Sequence, residues 1–349
     1  MPQKQNIEWL DTLRALATLG VIIIHVSTPT VKMAYATLGA DWWIGNIYDS
    51  AVRFSVPLFL VLSGATLLHK EYTLTEFYKK RLMRVLLPFL FWAVVYLVFN
   101  WWVIRHNMRP YGFESIKNWA WQLIVTKGIS VHFWFVYMLL TLYLFMPFLG
   151  KFLRSLTDSK VLALLIAWFL VCTVVVFARI PFDSLPFLSK FISYLFHAGF
   201  LVLGYYLVKK DFSAKKYRPW ATILFIGTVF FVAGYTYFLS KNAPKLDLIM
   251  YWYWSPVSIL QTIAVYLMVA GYQLKNKSLV FVRDVLSNHS YGIYLVQIMV
   301  IGILFINGIL WTIASPLISI PLLSILVFVV SAVIIKLLTK IPGGKYISG

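Results

Sequence analysis

The 349-residue sequence holds a single cysteine, Cys172, set inside an apolar run. That excludes an intrachain disulfide and leaves no thiolate cluster for a metal. Histidine is scarce as well, with six residues and none at the i, i+4 spacing of a zinc-binding helix, so no metal is expected. Acidic residues number 12 against 31 Lys and Arg, and charges of both signs make up only 12% of the chain. No polar stretch is long enough for an appended soluble domain. No internal repeat is visible, which weighs against a transporter built from inverted halves. The net charge of +19 suggests nucleic acid at first sight. The basic residues, however, fall in short clusters between apolar runs, the pattern that sets membrane topology, and no nucleic-acid partner is expected.

What is abundant is apolar surface. Hydrophobic residues form 61% of the chain, and the mean hydropathy of +0.80 lies far above that of a soluble domain. Apolar runs of spanning length fall near 10–31, 50–69, 84–104, 132–150, 161–179, 191–208, 219–239, 251–272, 290–310 and 315–338. The expected fold is an all-α polytopic membrane bundle of about ten transmembrane helices, with kinks at Pro57 and Pro256. When the loops are assigned to alternate sides, about two thirds of the 31 Lys and Arg fall on the side of the amino terminus, which places both termini in the cytoplasm. Trp42, Trp43, Trp101, Trp102, Trp119, Trp121, Trp252 and Trp254 fall at the opposite ends, where interfacial tryptophans belong. The first run is read as a retained span rather than a cleaved leader, being too long and carrying a histidine in its core. Between 105 and 130, Arg105, His106, Arg109, Tyr111, Trp119 and Trp121 read as a helix in the headgroups or as the lining of an outer vestibule.

The stretch Leu10–Pro29, LDTLRALATLGVIIIHVSTP, carries Asp11, Arg14 and His25 into that apolar setting. Ionisable groups in a span are costly and ask for a reason. Arg14 and His25 lie eleven positions apart, so at ~100° per residue the two return to within roughly 20° of one helical face, about 16 Å apart along the axis. A structural imidazole bonded to a neighbouring helix is the plain reading of His25. Its alignment with Arg14 favours a functional one, because an imidazole accepts a hydroxyl proton near neutral pH or itself takes an acyl group.

Other constellations are less specific. Phe77-Tyr78-Lys79-Lys80-Arg81-Leu82-Met83-Arg84 is explained by topology alone, yet Arg81 and Arg84 share a helical face and offer two guanidiniums for phosphates. Arg53 either pairs with Asp49 or holds an outer polar substrate. Ser63-Gly64 reads as close packing, since no G-x-S-x-G surrounds it. His132-Phe133-Trp134-Phe135-Val136-Tyr137 is an aromatic girdle or a sugar-stacking surface. Tyr294 and Gln297, three apart, are expected to face the bundle interior.

Taken together, Arg14 and His25 with ten residues between them, VPLFLVLSG at 56–64, YKKRLMRVLLPF at 78–89, HFWFVYMLLTLYLFMP at 132–147, SYGIYLVQ at 290–297 and the ending IPGGKYISG resemble the acyltransferase 3 family of integral membrane O-acyltransferases. The resemblance covers nearly the whole chain as one domain, 1–349. The short chain is similar to the type that acetylates enterobacterial common antigen and related glycans in the bacterial inner membrane. It implies transfer of an acyl group, usually acetyl from acetyl-CoA, to a hydroxyl of a cell-envelope glycan or glycolipid. By that resemblance His25 is the essential group, and Arg14 and Asp11, about 16 Å or more away along the same helix, are counted with it as catalytic. Arg14, Arg81 and Arg84, with Tyr78, serve the coenzyme. The acceptor falls to Arg53, His132, Trp134, Tyr137, Tyr294 and Gln297. Many members have histidine where this chain has Gln297. A rival reading is a transporter or flippase using Arg14 and His25 as a proton relay, and a third is an inactive scaffold.

Overall fold

In a computed structural model, which describes residues 8–107, 128–180, 186–210, 212 and 215–349, the chain is helical throughout, with no strand among the described residues. Helix α1 spans Glu8–Met33, α2 Ala40–Ala51 and α3 Ser55–Leu67. A short α4, Leu74–Phe77, passes through a π-turn, Tyr78–Leu82, into α5, Met83–Asn107. There follow α6 Phe133–Arg154, α7 Asp158–Phe177, α8 Pro186–Lys210 and α9 Arg218–Ser240. The chain closes with α10 Pro256–Val269, α11 Lys277–Asn288, α12 Ser290–Ile306 and α13 Pro316–Leu338.

Among the described residues eight helical stretches are long and apolar enough to cross a membrane, or nine if α11 and α12, bent by 83°, count as one. The difference from ten lies mainly in the run 251–272. There a 3₁₀ turn, Ile249–Tyr251, precedes the 14-residue α10, which at 1.5 Å per residue reaches about 21 Å, short of a ~30 Å hydrocarbon core. Pro256 starts α10 at its first turn, where a missing N–H costs nothing, instead of kinking it. The run 50–69 is longer than its hydropathy indicates: α2 and α3 make one span, Ala40–Leu67, interrupted at residues 52–54 just ahead of Pro57. At the interruption the Phe54 N–H donates to Gln261 Oε1 at 3.0 Å, and Gln261 Nε2 donates to the Ser50 carbonyl at 2.9 Å. Those bonds satisfy the freed backbone where lipid cannot. Trp42 and Trp254, expected at an interface, are buried inside the bundle. Arg109, Tyr111, Trp119 and Trp121 lie outside the described residues, as do the side chains of Arg105 and His106.

Helix α1 is the centre of the bundle, packing against α2, α3, α10, α11, α12 and α13. The loop ends gather as the alternation of charge requires. At one end Arg154 donates to the Leu68 and Lys70 carbonyls, Lys209 and Lys210 pair with Asp158, and Arg283 lies 3.5 Å from Glu8. At the other, Tyr35 donates to the Ser240 and Ala243 carbonyls and Arg179 pairs with Asp247.

Small residues let the central helices touch through their backbones. A Cβ on Gly64 would stand 2.0 Å from the Leu201 carbonyl oxygen, and one on Gly204 would stand 1.9 Å from that of Val61, so α3 and α8 cross without intervening side chains. Ser63 accordingly donates to the Phe59 carbonyl at 2.9 Å, a packing role. Because the obstacle is backbone, Gly204→Ala should lower the unfolding temperature of the detergent-purified protein by on the order of 5 °C. Gly227→Ala, with nothing within 4 Å, should leave it unchanged, and equal melting of the two variants would refute the close crossing.

Candidate active site

Arg14, one turn into α1, donates to Asp11 at 2.8 Å and to the Ser287 hydroxyl at 3.1 Å, and Ser287 donates back to Asp11 at 2.7 Å. This three-way cluster ties α1 to the end of α11 and leaves both charged side chains partly exposed. Arg14 there lines an open cavity of about 970 Å³, at the upper end of the size usual for small-molecule sites. Arg81 and Arg84 line it too, and so do Lys79, Lys80 and Lys345. No Asp or Glu is in the lining. The Arg81 Nε is buried without a hydrogen-bond partner. The result is a wall of cations open to a ligand, the arrangement that suits several phosphates at once. A π-turn, a device that recurs at functional sites, carries Lys79, Lys80 and Arg81. Tyr78 is placed otherwise. Its hydroxyl donates to the Leu144 carbonyl on α6 at 2.9 Å, and it is not among the lining residues.

Further along α1, His25 is half-buried, and neither ring nitrogen has a hydrogen-bond partner among the described residues. Its ring faces that of His132, with centroids 6.4 Å apart and planes at 77°. His132 is the opposite case, wholly enclosed and fully engaged. Its Nε2 lies 3.3 Å from the Leu295 carbonyl, which can only accept, so that nitrogen carries the proton. Nδ1 is then bare and accepts from the Ser130 hydroxyl at 2.9 Å. The Tyr96 hydroxyl accepts from the Met299 N–H and donates to the same Leu295 carbonyl, each at 2.9 Å. Tyr294 donates to the His132 carbonyl. Helices α5, α6 and α12 thus hold one imidazole rigidly beside a free one.

One turn beyond His25, Thr28 donates to Asp49 at 2.8 Å, and Asp49 pairs with Arg53. Arg53 is 5% exposed, donates to the Asp49 and Tyr251 carbonyls, and lies over the rings of Tyr251 and Tyr253. Of the two sequence readings of Arg53, the structure realises the pair with Asp49. Trp134 stacks on Tyr253 with centroids 5.6 Å apart, and Tyr137 meets the edge of Phe89. Gln297 is 1% exposed with neither amide atom hydrogen-bonded.

His25 does not line the basic cavity. Aromatic rings stand between them. Phe59 and Tyr291, both in the cavity wall, lie against Phe135 and Tyr294 with centroids 6.2 and 6.4 Å apart, and Tyr294 is 5.1 Å from His132. Sequence reasoning missed Lys345, Tyr346, Ser287, Tyr96 and Ser130. Glycines in SYGIYLVQ and IPGGKYISG were the available signal, since glycine marks close backbone approach, and a Cβ on Gly292 would meet the Ser348 carbonyl oxygen at 1.9 Å. Among the described residues no three His, Cys, Asp or Glu side chains form a metal-holding group.

No curated protein and no solved structure matches the chain. The family model described as an acyltransferase domain matches residues 7–336, which takes in Arg14, Arg81 and Arg84 of the cationic cavity and the His25–His132 pair, but not Lys345 and Tyr346. The chain belongs to the acyltransferase 3 family and is a membrane acyltransferase.

Proposed function

We propose that the protein is an O-acetyltransferase that moves an acetyl group from acetyl-CoA to a hydroxyl of a cell-envelope glycan or glycolipid. It does so in the bacterial cytoplasmic membrane, with both termini and the cationic cavity on the cytoplasmic side. The observation that carries this reading is the free imidazole of His25 on the same helix as Arg14, about 16 Å further along at 1.5 Å per residue. The coenzyme's phosphates rest on Arg14, Arg81 and Arg84, and its flexible pantetheine arm points along α1. The Phe59, Phe135, Tyr291 and Tyr294 rings lie on that path, so side-chain motion admits the thioester.

At His25 the imidazole works in one of two ways. As a base it takes the proton of the acceptor hydroxyl while that oxygen attacks the thioester carbonyl; the C–S bond breaks, and the CoA thiolate leaves with the proton returned from the imidazolium. As a carrier its bare nitrogen attacks the thioester carbonyl, the C–S bond breaks and CoA leaves as the thiol with the proton of the other ring nitrogen; in a second step the acceptor oxygen takes the acetyl group and its proton returns to the imidazole. His132 is a positioning residue in both. With its two nitrogens engaged it presents a fixed, neutral ring to His25. The acceptor approaches from the side of Trp134 and Tyr253, whose stacked faces suit a sugar ring, with Gln297 holding unused hydrogen-bonding capacity nearby in sequence to Tyr294.

His25→Ala should reduce transfer of labelled acetyl from acetyl-CoA to the membrane glycan fraction by about 10²-fold or more, while acetyl-CoA binding and monodispersity persist. A well-folded variant with near-full transfer would defeat the assignment. Arg84→Ala should raise the KM for acetyl-CoA about 10-fold, the loss of one charge-assisted contact, and leave the KM for the acceptor unmoved. A donor KM equal to wild type would remove Arg84 from the phosphate seat.

A further inference from the structure

The ending IPGGKYISG has no role in the chemistry above, yet it folds back into the bundle. Gly343, at φ 76°, turns the chain after α13. Gly344 packs so tightly that a Cβ would stand 1.7 Å from the Leu338 carbonyl oxygen. Beyond it the segment is clamped from two sides. Trp92 Nε1 on α5 donates to the Ile347 carbonyl at 3.1 Å, and Ser348 is buried with its carbonyl seated over Gly292 of α12. The glycine of SYGIY and the segment at 344–349 explain one another, because any side chain at 292 would displace the chain at 348.

This clamp holds Lys345 and Tyr346 in the wall of the cationic cavity. Tyr346 is 59% exposed, a large ring left uncovered although Gly344 before it and Ile347 and Ser348 after it are anchored. The Lys345 ammonium lies 5.1 Å from the ring centroid and has no carboxylate partner among the described residues. The cavity therefore combines an open aromatic face with unneutralised cations on Lys345, Lys79, Arg81 and Arg84. Phosphates alone need only the cations. An aromatic face beside them suits a ligand that carries a flat base on its phosphates, since base-on-ring stacking is sequence-tolerant and worth about 1–3 kcal/mol.

We infer that residues 344–349 form a purine-nucleotide subsite of the cavity, with Tyr346 as the stacking face for the base and Lys345 as a ligand to a ribose-borne phosphate. The subsite rests on the donor reading above, in which the adenosine 3′-phosphate end of acetyl-CoA is the part that remains at the cavity mouth.

Binding of adenosine 3′,5′-bisphosphate, CoA and acetyl-pantetheine to the purified protein in nanodiscs tests this. Tyr346→Ala should weaken adenosine 3′,5′-bisphosphate and CoA about 10-fold, Tyr346→Trp should retain both, and acetyl-pantetheine should be indifferent to either change. Gly292→Val, which pushes the segment off α12 and carries Lys345 and Tyr346 with it while leaving Arg14, Arg81 and Arg84 in place, should weaken both nucleotides at least as much as the alanine variant. Wild-type affinity for the bisphosphate in Tyr346→Ala, or a matching loss for acetyl-pantetheine, overturns the subsite and leaves the acetyl-transfer reading standing. Nucleotide binding that depends on Tyr346 without any acetyl transfer supports the subsite and overturns that reading instead. If the wild-type protein binds neither nucleotide, both are wrong.

Discussion

The interior of a bilayer offers no hydrogen bonds, so every polar group carried into this bundle has to be met by another part of the chain. The centre of the molecule is arranged around that requirement. Asp11 and Arg14 are answered by Ser287, Thr28 by Asp49, and Asp49 by Arg53, whose remaining capacity goes to the Tyr251 carbonyl and ring. Asn46, Ser50, Tyr251 and Gln261 form a second closed set around the break between α2 and α3. Helix α1 can hold so many polar residues because six other helices surround it.

Against that background His25 and Gln297 stand out, neither having a hydrogen-bond partner among the described residues. His25 and His132 lie side by side, but Ser130 and the Leu295 carbonyl use both nitrogens of the second ring and nothing uses those of the first. A buried polar network that is complete rigidifies its members. Here the rigid part is His132 with Tyr96 and Tyr294, and the residue it frames is left with free capacity.

The cationic cavity and the histidine pair occupy different depths of one helix, with aromatic rings between them. A site divided this way separates recognition from reaction. In the proposed reaction, charge holds a phosphorylated donor at the cavity, and the group to be transferred passes the Phe59–Phe135 and Tyr291–Tyr294 contacts toward the histidines. The residues divide along the same line: Arg81, Arg84, Lys79 and Lys345 line the cavity, while His25 and His132 lie outside it.

Hydropathy and charge placement in the sequence were enough to establish a helical membrane chain, to sort the loops into the two ends that the structure brings together, and to align Arg14 with His25. Each of those depends on neighbours within one run, and the 3.6-residue period or the length of a run encodes them directly. The short α10, the span running back to Ala40, the Asp49–Arg53 pair with its Tyr251 cover, Tyr78 turned toward Leu144, and Lys345 and Tyr346 beside Arg84 were decided by tertiary structure. These unite residues on different helices, some more than two hundred positions apart. Their meeting is set by backbone clearances such as those at Gly64, Gly204 and Gly292, which no periodicity records.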